Sequence, residues 1–264
     1  MTRDDLIEHV RAAASADPRV AALFLGGSLG SGHGDRWSDC DFVLVATPEG
    51  HATFVEQARD WVARICDPVL WLQIYPGVPL FLAVTEAWLR LDLTVTAPSH
   101  LNGSQATWRP LFDPQGLYDR LPRTAPSRSP DPTRVVAIIE EFLRSLGLLP
   151  LSVGRGEFVV GVTGVGHLRA QLIALLIESH APSYPPGALH LSRVLDAEEI
   201  ALIESLPSPA ADRQAVIAAS LACAAAFLPR ARRLAERLGA SWPEALEAAA
   251  RAHIRRELAI EIAG

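Results

Sequence analysis

Lysine is absent from this 264-residue chain: all 24 basic side chains are arginine. Chemistry that requires a lysine, such as a Schiff base or the phosphate-gripping lysine of a P-loop, is therefore excluded. Any phosphate clamp has to be built from Arg, Ser or backbone N–H groups. Cysteine is scarce too. The three present, Cys40, Cys66 and Cys223, show neither metal-ligand nor disulfide spacing, which points to a reducing, cytoplasmic setting. Met1 to Val10 is polar and acidic and lacks the apolar stretch of a signal peptide. The longest apolar run, Ala215 to Leu228, is Ala-rich and shorter than a membrane span, so it is expected to be a buried helix and no membrane partner is expected.

A basic stripe is missing as well. Before Thr133 there are 11 arginines against 16 acids, net −5, and from Thr133 onward 13 against 14, net −1. A protein that grips a long polyanion normally displays clustered positive charge, so a nucleic-acid polymer is disfavoured as a partner. A small neutral or cationic acceptor is easier to accommodate. What the chain does have is apolar residues, 49% of the total, enough for a substantial core in one large domain or two modest ones.

The first half alternates strand-like and helix-like stretches. Asp4 to Ala16 and His51 to Cys66 have helical spacing, the latter with Phe54, Ala58, Trp61, Val62 and Ile65 on one face. Val20 to Leu25, Asp41 to Ala46, Val78 to Val84 and Leu89 to Val95 read as strands, and Leu111 to Gly116 as a strand end running into a turn. Pro122 to Pro132 has linker composition. Beyond it, Arg134 to Leu149, His167 to His180, Ala197 to Leu206, Asp212 to Leu238 and Trp242 to Ile262 show three-to-four spacing, broken at Pro182 to Gly187 and Pro207 to Pro209. The expected architecture is an α+β domain with a mixed sheet over residues 1–124, a linker at 125–133, and an all-α bundle of about five helices over 134–264.

The segment richest in chemistry is Leu25 to Val45, LGGSLGSGHGDRWSDCDFVLV. An apolar strand runs into Gly26-Gly27-Ser28, and after a Gly-rich stretch Asp39-Cys40-Asp41 heads another strand. Side chains alternate faces along a strand, so Asp39 and Asp41 point one way, roughly 7 Å apart by strand rise, and Cys40 the other. Two carboxylates so placed suit hard divalent cations. A metal pair can bind both the attacking and the leaving oxygen of a phosphoryl displacement. The glycines let the backbone approach a phosphate, and Ser28 at a helix start adds a hydroxyl beside free N–H groups.

Gly27-Ser28, ten intervening residues, then Asp39-x-Asp41 resembles the signature of the DNA polymerase beta-like nucleotidyltransferase superfamily, in particular its aminoglycoside- and lincosamide-modifying members. Asp92, in Leu91-Asp92-Leu93-Thr94-Val95, matches the family's third carboxylate on a later strand. The Leu111-Phe-Asp-Pro-Gln-Gly116 turn and a helical carboxyl-terminal half are similar to the antibiotic-modifying members. The resemblance implies that Gly27 and Ser28 hold a nucleoside triphosphate and that Asp39, Asp41 and Asp92 ligate two magnesium ions. It also makes Asp92 a candidate to take the proton of the acceptor hydroxyl, and the helical domain the acceptor-binding part. The implied reaction transfers a nucleoside monophosphate, AMP from ATP first among them, to a small hydroxylated acceptor such as an aminoglycoside, with release of pyrophosphate. A protein adenylyltransferase of the antitoxin type and a non-catalytic nucleotide-binding protein remain as alternatives.

Each residue also has a plainer reading. Asp-x-Asp is commonly a solvated turn, but here the Gly-Gly-Ser, the spacing, the following strand and the later strand Asp coincide. Glu140 and Glu141 are candidate general bases or acceptor ligands, yet two acids on a surface helix are common, and Glu86 and Glu157 are weaker candidates of the same kind. Arg230, Arg232, Arg233 and Arg237 read as a solvated helix face, with a triphosphate contact as the alternative. His33 reads as a loop residue. Trp71, Trp88 and Trp108 could stack on a base or sugar, with core packing the default, and Cys40 and Cys223 read as small core residues.

Overall fold

The computed structural model describes residues 1–182 and 188–263. The chain divides into two units, Met1–Pro126 and Ser127–Gly264. The first begins with helix α1 (Arg3–Ala16), whose Thr2 and Asp5 form a reciprocal capping box. Strand β1 (Val20–Leu25) follows, then the one-turn helix α2 (Gly27–Gly30), β2 (Cys40–Ala46), helix α3 (His51–Cys66), β3 (Leu70–Gln73), β4 (Leu80–Val84), β5 (Arg90–Thr96) and β6 (Arg109–Phe112). The six strands form one mixed sheet in the order β3-β4-β5-β2-β1-β6. Its one parallel pair is β2 with β5, as expected when a helix-containing crossover returns the chain to the same sheet.

The alternation along β2 and β5 assigns the two faces. Cys40, Phe42 and Leu44 with Leu91, Leu93 and Val95 face one way and are buried against Leu6 and Val10 of α1 and Phe54, Ala58 and Val62 of α3. Asp41 and Asp92 face the other way. On that face Ala22, Phe24 and Val45 are covered by Leu117, with Trp108 and Tyr118 packed alongside. Trp108 stacks on Phe24 at 5.5 Å between ring centroids. The hydrophobic effect thus fixes the register of the acidic positions, because a slip by one residue would bury both carboxylates in the α1/α3 core.

The second unit holds helices α4 (Pro132–Leu146), α5 (Leu149–Gly154), α6 (Phe158–His180), α7 (Ala197–Ser205), α8 (Arg213–Leu238) and α9 (Glu244–Leu258). Phe142 of α4 and Phe227 of α8 stack nearly parallel, 3.8 Å apart, at the centre of its core. The carboxylate of Glu178 on α6 is buried. It accepts hydrogen bonds from the Arg128 guanidinium (2.5 and 2.7 Å) and the Asp131 N–H (2.8 Å), with Arg134 at 3.2 Å. By length and composition α6 and α8 are each apolar enough to cross a membrane. Both contribute buried residues to the helical core, Leu168, Leu172 and Leu175 from α6 and Cys223 and Phe227 from α8.

Several boundaries differ from the sequence expectation. Strand β3 was not expected: it is an edge strand whose Leu70, Leu72 and Gln73 are all exposed, so it lacks the buried alternation that marks a strand. The 78–84 strand starts at Leu80, because Tyr75 to Val78 form a turn with Gly77 at φ 77°. Arg134 to Leu149 is cut at Gly147, and α5 restarts with Pro150 in its first turn. Helix α6 begins at Phe158 rather than His167, since its leading Val-Gly-rich stretch carries no clear apolar stripe. Trp242 to Ile262 contracts to Glu244–Leu258, and the separate α5 makes six helices rather than about five among the described residues. The boundary between units, Pro126/Ser127, falls inside the expected 125–133 linker, while α4 already begins at Pro132. Of the expected break at Pro182 to Gly187, residues 183–187 lie outside the described residues.

Candidate active site

Asp41 and Asp92 are register partners in the parallel β2/β5 pair, on strands about 4.8 Å apart, and both are partly buried on the same face. Burial is the main reason the Asp41 carboxyl is pushed up to about 6, and the negative charges of Asp39 and Asp92 push it further. Asp92 is raised in the same way, by burial and then by Asp39. Like charges crowded in a poorly solvated site disfavour ionisation unless a cation joins them. Asp39 lies just ahead of β2, and its Oδ2 stands 3.5 Å from Nη2 of Arg90. Arg90, two residues before Asp92 on the same strand face, also donates to the carbonyl oxygen of Trp37 at 3.0 Å. The other face behaves oppositely: desolvation pushes the buried Cys40 thiol up to about 12, leaving it inert near neutral pH.

Beside the acids the Gly-rich bend is fitted to Asp41. The Gly26 N–H donates to the Asp41 carbonyl oxygen at 2.7 Å. Gly27 adopts φ 56°, in the left-handed region, and a Cβ there would sit 1.8 Å from Oδ2 of Asp41. Only glycine satisfies both demands, so its presence brings backbone directly against a carboxylate. The amides of Gly27, Ser28 and Leu29 head α2, where helical geometry gives an N–H no partner within the helix. The Ser28 hydroxyl donates to Ser38 Oγ at 2.8 Å, and Ser38 Oγ accepts the Asp35 N–H at 3.0 Å. These bonds tie the two ends of the Gly-rich segment together and leave the lone pairs of Ser28 Oγ unused by them.

The sequence-derived site therefore sorts into parts. Gly27, Ser28, Asp39, Asp41 and Asp92 are gathered at one end of the β2/β5 pair. Among the described residues, no group of three or more His, Cys, Asp and Glu side chains closes into a metal-holding cluster. What stands there is a carboxylate pair with a third acid held aside by Arg90. The donor set is all oxygen, and its mutual repulsion is of the kind a hard divalent cation relieves, so magnesium fits the residues present. The other acids are placed differently. Glu141, in the second unit, binds Arg144, His167 and Ser145, and these partners, Arg144 foremost, hold it down to about 2. A carboxylate held that low is a poor proton acceptor at neutral pH. Glu86, Glu140 and Glu157 are exposed.

No family model matches this chain, and no curated protein does. Among solved structures, an aminoglycoside 6-adenyltransferase from Bacillus subtilis is similar over 95% of each chain, at 13% identity and a TM-score of 0.42. At that depth the likeness carries no argument about activity.

Two residues of the site were missed by sequence reasoning. Arg90 had a signal, since strand alternation places it on the face of Asp92. Trp37 did not: it is 71% exposed, it precedes Asp39 by two residues, and the Arg36 guanidinium lies over its ring at 4.0 Å. Trp71 and Trp108 are accounted for by stacking on Phe81 and Phe24, whereas Trp88 is exposed at φ 60°.

Proposed function

We propose that this chain is a magnesium-dependent nucleotidyltransferase that moves a nucleoside monophosphate, AMP from ATP in the first instance, onto a hydroxyl of a small acceptor. The observation that carries the reading is the facing pair Asp41/Asp92 beside a Gly-Ser bend whose Gly27 leaves no room for a side chain against Asp41. Asp39, Asp41 and Asp92 would hold magnesium, which when bound supplies charge neutralisation at the transferring phosphoryl group. Gly27, Ser28 and Leu29 would offer N–H groups, and Ser28 its hydroxyl, to the phosphates.

In the reaction the acceptor oxygen bonds to the α-phosphorus as the bond to the bridging oxygen breaks, and pyrophosphate leaves with that electron pair. Asp92 takes the proton of the acceptor hydroxyl and returns it to solvent. Arg90 is placed to balance Asp39 until a cation does so. The rest of the rate enhancement comes from positioning and preorganised charge.

An aminoglycoside-like molecule is the first acceptor class to test, since a cationic acceptor suits an acidic site. Incubation with magnesium, labelled nucleoside triphosphates and a panel of hydroxylated antibiotics should release pyrophosphate and label one acceptor. Label on a macromolecule instead would favour the protein-modifying alternative. Absence of any transfer, together with unchanged melting temperature on adding magnesium and nucleotide, would favour a non-catalytic role.

A further inference from the structure

The helical unit carries a polar cavity that the proposed reaction does not use. It has a volume of about 220 Å³ and lies among α6, α7 and α8. Arg230, Arg233 and Arg237 of α8 line one wall, at spacings of three and four residues that place them on one helix face. Like charges so spaced on one helix face repel each other. Several arginines of this unit are paired, Arg232 and Arg251 with Glu247, Arg144 with Glu141 and Arg255 with Glu261, while Arg169 is held by the carbonyl oxygens of Leu206 and Pro207. Among the described residues, no carboxylate lies within ion-pair distance of Arg233 or Arg237. Glu199 stands on the rim, but its Oε2 is turned to His180 Nε2 (2.7 Å) and to the Asp196 N–H (3.1 Å).

The remaining wall defines what such a cavity accepts. Arg230 spends one N–H on the Ala226 carbonyl (2.9 Å), in the turn that Pro229 loosens, which fixes its stem and leaves its other donors available. The Ser179 hydroxyl donates to the Leu176 carbonyl (2.8 Å), so its oxygen is left as an acceptor. Glu199 Oε1 is likewise an acceptor. The leucines of the lining, Leu175, Leu176 and Leu234, are buried and offer an apolar floor. From Arg230 to Arg237 the helix rises about 10 Å, wider than a single phosphate needs. Guanidinium forks match phosphate oxygens bidentately, whereas the acceptors opposite suit hydrogen-bond donors, such as hydroxyls, on the same molecule.

We propose that this cavity is a binding site for a phosphorylated, hydroxyl-bearing small molecule. The arginines of α8 take its phosphate groups, and Ser179 and Glu199 accept from its hydroxyls. The site is lined wholly by residues of the second unit, includes none of the acids of the sheet and needs no divalent cation.

Calorimetric titration of the full chain in EDTA, with pyrophosphate, glucose 1-phosphate and ADP as probes, tests this. At least one of the two hydroxyl-bearing probes should bind, with an affinity that falls at least tenfold in the double variant Arg233→Ala/Arg237→Ala and is unchanged in Asp92→Asn. Ser179→Ala should weaken that probe and leave pyrophosphate unaffected. Circular dichroism of the double variant, whose altered side chains are exposed, should match the parent. The proposal is overturned if none of the probes binds, if the double variant binds as well as the parent, or if Asp92→Asn abolishes the binding. Binding of pyrophosphate alone would overturn the assigned ligand class.

Discussion

Replacing Asp41 by Asn should make the metal-free protein more stable at neutral pH, against the usual cost of altering a partly buried residue. The Asp41 carboxyl is raised from 3.8 to about 6, first by burial and then by Asp39 and Asp92. Below about pH 4 it is protonated in both folded and unfolded chains and costs nothing. Between about 4 and 6 the folded chain holds the extra proton, so stability falls as pH rises, and above 6 the full penalty is present. About 2 units at about 1.4 kcal/mol each give a ceiling of about 3 kcal/mol. Residual solvation of the site and imperfect hydrogen bonding of the new amide bring the expected gain to about 1–2 kcal/mol at pH 7, or several degrees in Tm. The assay is thermal unfolding of parent and variant in EDTA from pH 4 to pH 8. The gain should vanish near pH 4, grow to pH 6.5 and then level off, and magnesium should shrink it by stabilising the parent alone. A variant less stable than the parent at pH 7, or a gain independent of pH, would refute the reasoning.

Gly27→Ala should destabilise the first unit by about 1–3 kcal/mol and abolish magnesium-dependent nucleotide binding, because the added Cβ meets Asp41 at 1.8 Å on a left-handed backbone; urea unfolding and calorimetry read the two effects. Glu178→Gln should cost about 2 kcal/mol by weakening the charge-assisted bonds to Arg128 and Arg134, measured by urea denaturation of the full chain. Cys40 should resist alkylation at pH 8 in the folded protein and react only after denaturation, since its thiol is pushed up to about 12 and is buried; mass spectrometry of peptides reads the site.

Much of the sheet was legible because its inner strands repeat a simple physical signal. β1 and β2 are short apolar runs, and β5 alternates strictly, so both the strand identity of Asp92 and its face follow from period two. Helix α3 was bounded to the residue because its stripe of Phe54, Ala58, Trp61 and Val62 meets the sheet directly. β3 was illegible for the converse reason: an edge strand in which Trp71 alone is half-buried carries no alternation to read. Pairing of β2 with β5 depends on contacts far apart in sequence. The side-by-side placement of Asp41 and Asp92 was therefore an expectation from resemblance rather than from periodicity. The role of Gly27 was foreseen as closeness to phosphate, whereas the structure adds closeness to Asp41. The arginine run on α8 was read as a solvated face. Arg233 and Arg237 are indeed exposed, and the packing of α6 and α7 beside them makes them, with Arg230, line a cavity as well.

The account rests on three acids, at the head of β2 and on β5, serving magnesium beside a glycine-serine bend. Its most direct test is calorimetric binding of a non-hydrolysable nucleoside triphosphate in the presence and absence of magnesium, in the parent chain and in Asp92→Asn. The account predicts binding that requires magnesium in the parent and falls at least tenfold in the variant. Equal binding with and without the metal, or equal binding by the variant, would contradict it.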